Sequence, residues 1–270
     1  MRTDQDLRYG LSVVLPTLNE ADNLAELVPQ IYLEIGHLVS DLEVIIVDDS
    51  STDATLAVVL NLQYRFPSLK IIDRRGSPRS LPNSIRDGVM NSRNAYVCWM
   101  DADGSMQPSV IKDMIHVSTN FLPGESSLVI ASRFVKGGGI KGQSSTSRTS
   151  VWQLIRNLRT SEDHLLAVSL SWTLNKVIWL ATKKYCRDST SGFILVPKKL
   201  LQNYSFHGVY GDYFPRLMDY FRSKNIQVIE IPYVIQIRKH GVSKTGDSAL
   251  KILRSGLPYI QYLWEVILKN

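Results

Sequence analysis

A chain of 270 residues with 44% hydrophobic, 21% charged and 9% aromatic side chains can bury a sizeable core, which excludes disordered, collagen-like and disulfide-scaffold proteins. Its two cysteines, Cys98 and Cys186, lack any CxxC or Cys/His spacing, so neither a zinc site nor a disulfide framework is indicated and a reducing compartment fits. The net charge of +6 is regional, because residues 133–199 hold 12 Lys/Arg against 3 Asp/Glu, a bias that suits a solvated helix face, a phosphate-bearing substrate or an anionic membrane surface.

The opening Met1-Arg2-Thr3-Asp4-Gln5-Asp6 is charged and no apolar run of signal length follows it, so no secretory signal is expected. Apolar β-type runs at Leu11–Leu15, Leu42–Val47, Leu69–Ile72, Ala95–Met100 and Leu128–Ala131 predict strands. Helical spacing falls between them, over Ala21–Ile35, Thr52–Tyr64, Pro82–Met90 and Pro108–Asn120. This alternation predicts an α/β fold with a mostly parallel sheet and helices on both faces, ligands lying beyond the carboxyl ends of the strands.

A Gly/Ser/Thr-rich loop over Lys136–Ser150 follows, then a long basic and apolar helical region to about Lys184. A short strand is expected at Gly192–Val196, another at Gln227–Ile237, and helices at Tyr210–Arg222 and Ala249–Leu268. The stretch Leu165–Thr182 carries Lys176 and four polar residues, so no transmembrane segment is expected. Gly137, Gly139 and Gly142 satisfy G-x-G-x-x-G but do not join a strand to a helix, which favours a glycine-hinged lid over a dinucleotide fingerprint. Trp152, Trp172 and Trp179, with Arg156, Arg159, Lys176, Lys183 and Lys184 nearby, suit either a packed helix or one resting on lipid headgroups. No nucleic-acid-binding motif accompanies them.

Three polar clusters fall directly after predicted strands: Pro16-Thr17-Leu18-Asn19-Glu20, Asp48-Asp49-Ser50-Ser51 and Asp101-Ala102-Asp103. The first two also read as helix-start chemistry, since Asn, Asp and Ser cap helices; their coincidence with the third raises a ligand site. In an extended segment residues i and i+2 share a side, so Asp101 and Asp103 can present both carboxylates to one ligand. Such a pair calls for a cation, and oxygen ligands favour Mg²⁺ or Mn²⁺.

Together Val13 through Glu20, Ile45 through Asp53 and Trp99 through Asp103 resemble family 2 glycosyltransferases with the GT-A fold. Farther on, Ala131 through Gly138, Asp188 through Phe193, Glu230-Ile231-Pro232 and Arg238 through Lys244 are similar to the branch that makes polyprenyl-phosphate sugars, typified by dolichol-phosphate mannose synthase. The resemblance implies a GT-A domain over residues 1–245, with a nucleotide-sugar half to about 134 and an acceptor half beyond it, and a C-terminal amphipathic helix over 246–270. It implies Asp101 and Asp103 as metal ligands and, with Arg133, as catalytic residues. It implies substrate contacts from Pro16, Thr17, Leu18, Asn19, Glu20, Val47, Asp48, Asp49, Ser50, Arg79, Ala102, Ser105, Arg238 and Lys244. Arg133, Arg238 and Lys244 would face the donor diphosphate and the acceptor phosphate. The chain departs from the branch at Gly104-Ser105, at Tyr210 through Arg216 and over Ser144–Ser171.

The implied activity is metal-dependent, inverting transfer of a hexose, mannose or glucose, from a GDP- or UDP-linked donor to a polyprenyl phosphate, peripheral at the cytoplasmic membrane face. A phosphate acceptor, dianionic at neutral pH, needs no general base. A glycan or protein hydroxyl, the alternative acceptor, needs a carboxylate to take its proton, with Asp212 or Asp188 as candidates. A catalytically inactive binding subunit is the third reading.

Overall fold

The computed structural model describes residues 10–121, 127–139, 162–236, 238, 240 and 249–269. Along the chain run β1 (Leu11–Thr17), α1 (Ala21–Ile35), β2 (Leu42–Asp48), α2 (Thr55–Arg65), β3 (Leu69–Asp73), α3 (Leu81–Asn91), β4 (Tyr96–Trp99), α4 (Pro108–Phe121), β5 (Ser127–Ser132), α5 (Glu162–Ala181), β6 (Ile194–Pro197), α6 (Tyr213–Ser223), β7 (Gln227–Pro232) and α7 (Ala249–Lys269). The seven strands form one mixed sheet in the order β3-β2-β1-β4-β6-β5-β7, in which β6 alone runs antiparallel to its neighbours.

Strands β1 and β2 are apolar on both faces, as interior strands of a parallel sheet must be. Leu11, Val13, Leu15, Val44 and Ile46 pack under α1, α2 and α4, while Val14, Ile45 and Val47 face the layer built from Ile85 and Val89 of α3 and Phe214, Leu217 and Phe221 of α6. Helices therefore cover both faces. The register pairs Thr17 with Asp48 and Val14 with Trp99, so β1, β2 and β4 deliver their polar clusters to the same edge of the sheet.

Element boundaries move where a side chain hooks the backbone. Helix α2 starts at Thr55, three residues later than its pattern suggests, because Asp53 Oδ1 accepts the Thr55 N–H (3.0 Å) and hydroxyl (2.5 Å) and holds residues 53–55 in a turn ahead of the helix. Helix α6 starts at Tyr213 because Asp212 binds the preceding turn, its Oδ1 accepting the N–H groups of Val209 and Tyr210 (2.8 and 3.0 Å). Strand β7 stops at Pro232, short of Ile237, and beyond it Val234 makes an isolated bridge to Gly139 while the Gln236 N–H donates to the Ser105 carbonyl (2.9 Å).

Helix α7 does not stand apart. Its Tyr262 and Val266 bury against Ile178 of α5, and its Glu265 takes a bidentate bond from Arg216 of α6 (2.5 and 3.2 Å). No helix among the described residues is long and apolar enough to cross a membrane. The outer sides of α5 and α7 nevertheless expose Trp172, Leu180, Leu257, Ile260, Trp264, Ile267 and Leu268. Trp152 and Gly142 lie outside the described residues. Cys98 and Cys186 are fully buried free thiols.

Candidate active site

At the carboxyl edge of the sheet an open cleft of about 820 Å³, counting the solvent at its mouth, is lined by Pro16, Thr17, Leu18, Glu20, Asp49, Arg79, Ser80, Leu81, Ser84, Asp101, Ala102, Asp103, Val209, Tyr210 and Arg238. Its position is where a doubly wound sheet binds ligands.

The first two loops are stitched to each other. The Asn19 N–H donates to Ser51 Oγ (2.8 Å), and Asn19 Oδ1 accepts the Thr52 N–H (2.8 Å). Glu20 N–H donates to Thr55 Oγ1 (3.0 Å), and Asp48 accepts from the Ser51 N–H (2.9 Å) and hydroxyl (2.5 Å). Asn19 and Ser50 adopt left-handed backbone, with φ of 57° and 68°, a conformation Asn tolerates better than most residues. Asn19, Asp48 and Ser50 therefore build the cleft wall rather than line it. The Val47 side chain is a correction to the expected contacts: it is fully buried beneath α3 in the sheet core, since on an interior strand the residue before Asp48 points to the opposite face.

Asp49 does line the cleft, held by Arg74 and by the Ser80 N–H (2.7 Å). Arg74 is a buried hub. It also binds Asp87 (2.9 Å), Ser84 Oγ (2.9 Å) and the carbonyls of Ser80 and Pro78. Nothing in the sequence singled it out, because its role arises only when the 74–80 turn folds back over β2. Arg79, whose Nη2 donates to the Ser50 carbonyl (3.0 Å), stands on the same wall.

On the cleft floor Asp103 is buried; its Oδ1 accepts the Ser105 N–H (2.9 Å) and its Oδ2 an N–H of Arg238 (2.5 Å). Ser105 is itself buried and acts through that backbone bond. Solvent reaches Asp101 through the cleft mouth, yet the surrounding protein desolvates it and the Asp103 charge repels its ionised form, together pushing its carboxyl up to about 7. Two acids in this state fit a hard divalent cation, an all-oxygen donor set whose charge demand is on display. Among the described residues no third His, Cys, Asp or Glu joins them as a ligand group, so further coordination would fall to diphosphate oxygens and water.

Arg133 is placed differently from a cleft-lining residue. Its guanidinium grips Asp188 with two bonds (2.8 and 2.7 Å) and Thr190 Oγ1 (2.8 Å), at a fully buried carboxylate. The adjacent Asp188 pairing raises the Arg133 guanidinium further despite its burial. Lys244 lies outside the described residues. The lining residues Ser80, Leu81, Ser84, Val209 and Tyr210 were not among the expected contacts; Ser80, which caps α3 ahead of Pro82, carried the one readable signal, a cap residue before a proline.

An α/β fold of the GT-A kind with an acidic cleft at the carboxyl edge of its sheet is thus the class defined by sheet and site. The glycosyl transferase family 2 model matches residues 12–195, and the chain belongs to that family. It is 28% identical over 246 residues to a dolichol-phosphate mannosyltransferase of Pyrococcus furiosus, covering 90% of this chain and 62% of the relative, so it spans less than two thirds of that relative's length. It is 26% identical over 248 residues to a polyprenol monophosphomannose synthase of Mycolicibacterium smegmatis, covering 88% and 82%. Among solved structures it resembles glucosyl-3-phosphoglycerate synthase of Mycobacterium tuberculosis with Mn²⁺, UDP and glucosyl-3-phosphoglycerate, at a TM-score of 0.60 and 17% identity over 97% of this chain and 79% of that one. A mannosyltransferase of Pyrobaculum calidifontis with GDP-Man and Mn²⁺ gives 0.57 and 18%, over 98% and 67%.

Proposed function

We propose that the chain is an inverting glycosyltransferase that moves a hexose, mannose or glucose, from a GDP- or UDP-linked donor to a polyprenyl phosphate. The observation that carries the reading is the cleft itself, where Asp101 and Asp103 meet Arg238 and Arg79 at the edge of a family 2 fold. In this reading Thr17, Leu18, Glu20 and Asp49 receive the nucleoside, and Arg79 and Arg238 supply charge-assisted hydrogen bonds to the diphosphate. A divalent cation on Asp101 and Asp103 would offset the charge that develops on the departing diphosphate. The acceptor phosphate oxygen forms its bond to the anomeric carbon from the face opposite the diphosphate, whose C–O bond breaks with the electron pair leaving on the nucleotide.

The state of two other carboxylates favours a phosphate over a hydroxyl acceptor. Asp188 is bound by Arg133, and Asp212 by two backbone N–H groups and Arg216, both fully inside the protein. Neither is placed to take a proton from an alcohol. The names of the polyprenol and dolichol-phosphate relatives support the same acceptor class. Placement at a membrane surface is supported by the exposed tryptophans and aliphatics of α5 and α7 beside Lys176, Lys183 and Lys184.

Incubation with radiolabelled GDP-mannose or UDP-glucose, Mn²⁺ and either polyprenyl phosphate or soluble sugars tests the proposal. Label that extracts into organic solvent is the expected result. Label appearing only in water-soluble glycan would overturn the acceptor assignment.

A further inference from the structure

The cleft wall facing the acidic pair is formed by Val209 and Tyr210, on a turn that no regular element supports. Its position is set by a chain of polar contacts. The N–H groups of both residues donate to Asp212 Oδ1 (2.8 and 3.0 Å), Asp212 Oδ2 accepts from Arg216 Nε (3.0 Å), and the remaining guanidinium nitrogens bind Glu265 of α7 (2.5 and 3.2 Å). The Arg216 guanidinium also lies 5.5 Å from the Tyr262 ring centre. Gly208 enters the turn at φ 128°, and Gly211 passes directly against the Tyr259 hydroxyl of α7, so the turn sits between α6 and α7 with no space for another side chain at Gly211. Asp212 is 1% exposed, and the three donors give this buried carboxyl the hydrogen bonds that its burial demands.

Tyr210 lines the cleft half-exposed, and desolvation by the surrounding protein together with the nearby Asp101 charge pushes its phenol up to about 12. A phenol in that range keeps its proton at neutral pH and can donate to a sugar hydroxyl. Tyr210, Asp212 and Arg216 fall in the stretch where this chain departs from the lipid-linked branch it otherwise resembles.

We propose that Arg216 is a positioning residue for the donor: it aims Tyr210 into the sugar end of the cleft by bracing Asp212 on one side and α7, through Glu265, on the other. This rests on the reading of the cleft as a sugar-nucleotide site. Arg216 is not among the residues lining the cleft, so its effect on a ligand there must pass through Tyr210, which a thermodynamic cycle isolates.

The experiment is calorimetric binding of GDP-mannose and of UDP-glucose, with Mn²⁺, to the wild type, Tyr210→Ala, Arg216→Met and the double variant, with melting temperatures recorded for each. For whichever donor the wild type binds, each single change is expected to weaken binding about tenfold and the double variant to bind no worse than Tyr210→Ala alone. Arg216→Lys, which keeps the charge but not the fork, should fall between the wild type and Arg216→Met. Losses that multiply to about a hundredfold in the double variant, or an unchanged affinity in Arg216→Met, would overturn the inference. Should Arg216→Met fail to fold, Glu265→Ala severs the α7 arm alone, and a loss of about threefold that vanishes in the Tyr210→Ala background is expected; a folded Glu265→Ala with wild-type affinity counts against it. A wild type that binds neither donor refutes the sugar-nucleotide reading of the cleft, and the role of Arg216 falls with it.

Discussion

Asp101 and Asp103 divide the work at the floor of the cleft. Asp103 is tied down by the Ser105 N–H and Arg238, whereas Asp101 lies open to the mouth with its carboxyl raised to about 7. Replacing Asp103 by Ala is expected to lower sugar transfer about a thousandfold, the size of several kcal/mol of lost charge stabilisation, with circular dichroism unchanged. Because the Asp101 value is raised above 3.8, the folded metal-free protein holds a proton that the unfolded chain has released between those two values. The stability this proton confers is full at the acid end of the interval and is lost as pH rises through about 7. Divalent cation, which needs the ionised form, should therefore raise the melting temperature little at pH 5.5 and clearly at pH 8; a Mn²⁺ effect that is independent of pH would contradict the assignment. Arg74 matters differently, since it compensates two carboxylates from inside the protein. Arg74→Met takes the guanidinium from Asp49, leaving it the Ser80 N–H, and one of the two arginines from Asp87, and should cost about 3 kcal/mol in urea unfolding, along with donor affinity.

Among the secondary structure elements, α3 shows how tightly sequence and wall are coupled. Gly88 passes so close to Val14 of β1 that a Cβ there would collide with its methyl group. Gly88→Ala is therefore expected to destabilise the protein by about 1–3 kcal/mol, measurable by denaturant titration, through displacement of α3 from the sheet. The alternation of strands and helices in the first half was readable because interior parallel strands are continuous apolar runs and the helices between them keep one buried stripe. Ends were harder to read where Asp53 and Asp212 redirect the backbone, as bonds from a side chain to its own loop's backbone leave no periodic mark in the sequence. The same distinction runs through the site. Asp49, Asp101 and Asp103 were legible because strand ends converge by topology, while Val47 was misplaced by one pleat and Arg74 and Tyr210 come from turns that carry no periodic signal. Arg133 was visible as a basic residue after β5, but its capture by Asp188 needed the fold to bring β6 alongside.

For the molecule as a whole, that antiparallel insertion of β6 between β4 and β5 merges the two halves of the chain into common cores. One core joins β1 and α1 to Phe193 and Leu195, the other joins α3 and Val97 to α6. Cys98 belongs to the first and Cys186 to the second. Burial raises both thiols and hides them from solvent, so neither should react with a disulfide reagent in the native state. As urea is increased, both should become reactive in one transition; two separate midpoints would indicate halves that unfold independently.

The mutual stitching of the β1 and β2 loops has a consequence for specificity. Since Asn19 is bonded to Ser51 and Thr52, Ser51 to Asp48, and Glu20 to Thr55, the base of the proposed donor would meet a finished mould and have no segment to order on arrival. Preference among bases is then a matter of rigid outline, and switching it would require matched exchanges on both loops at once, because any single change would first unpick the seam that shapes them.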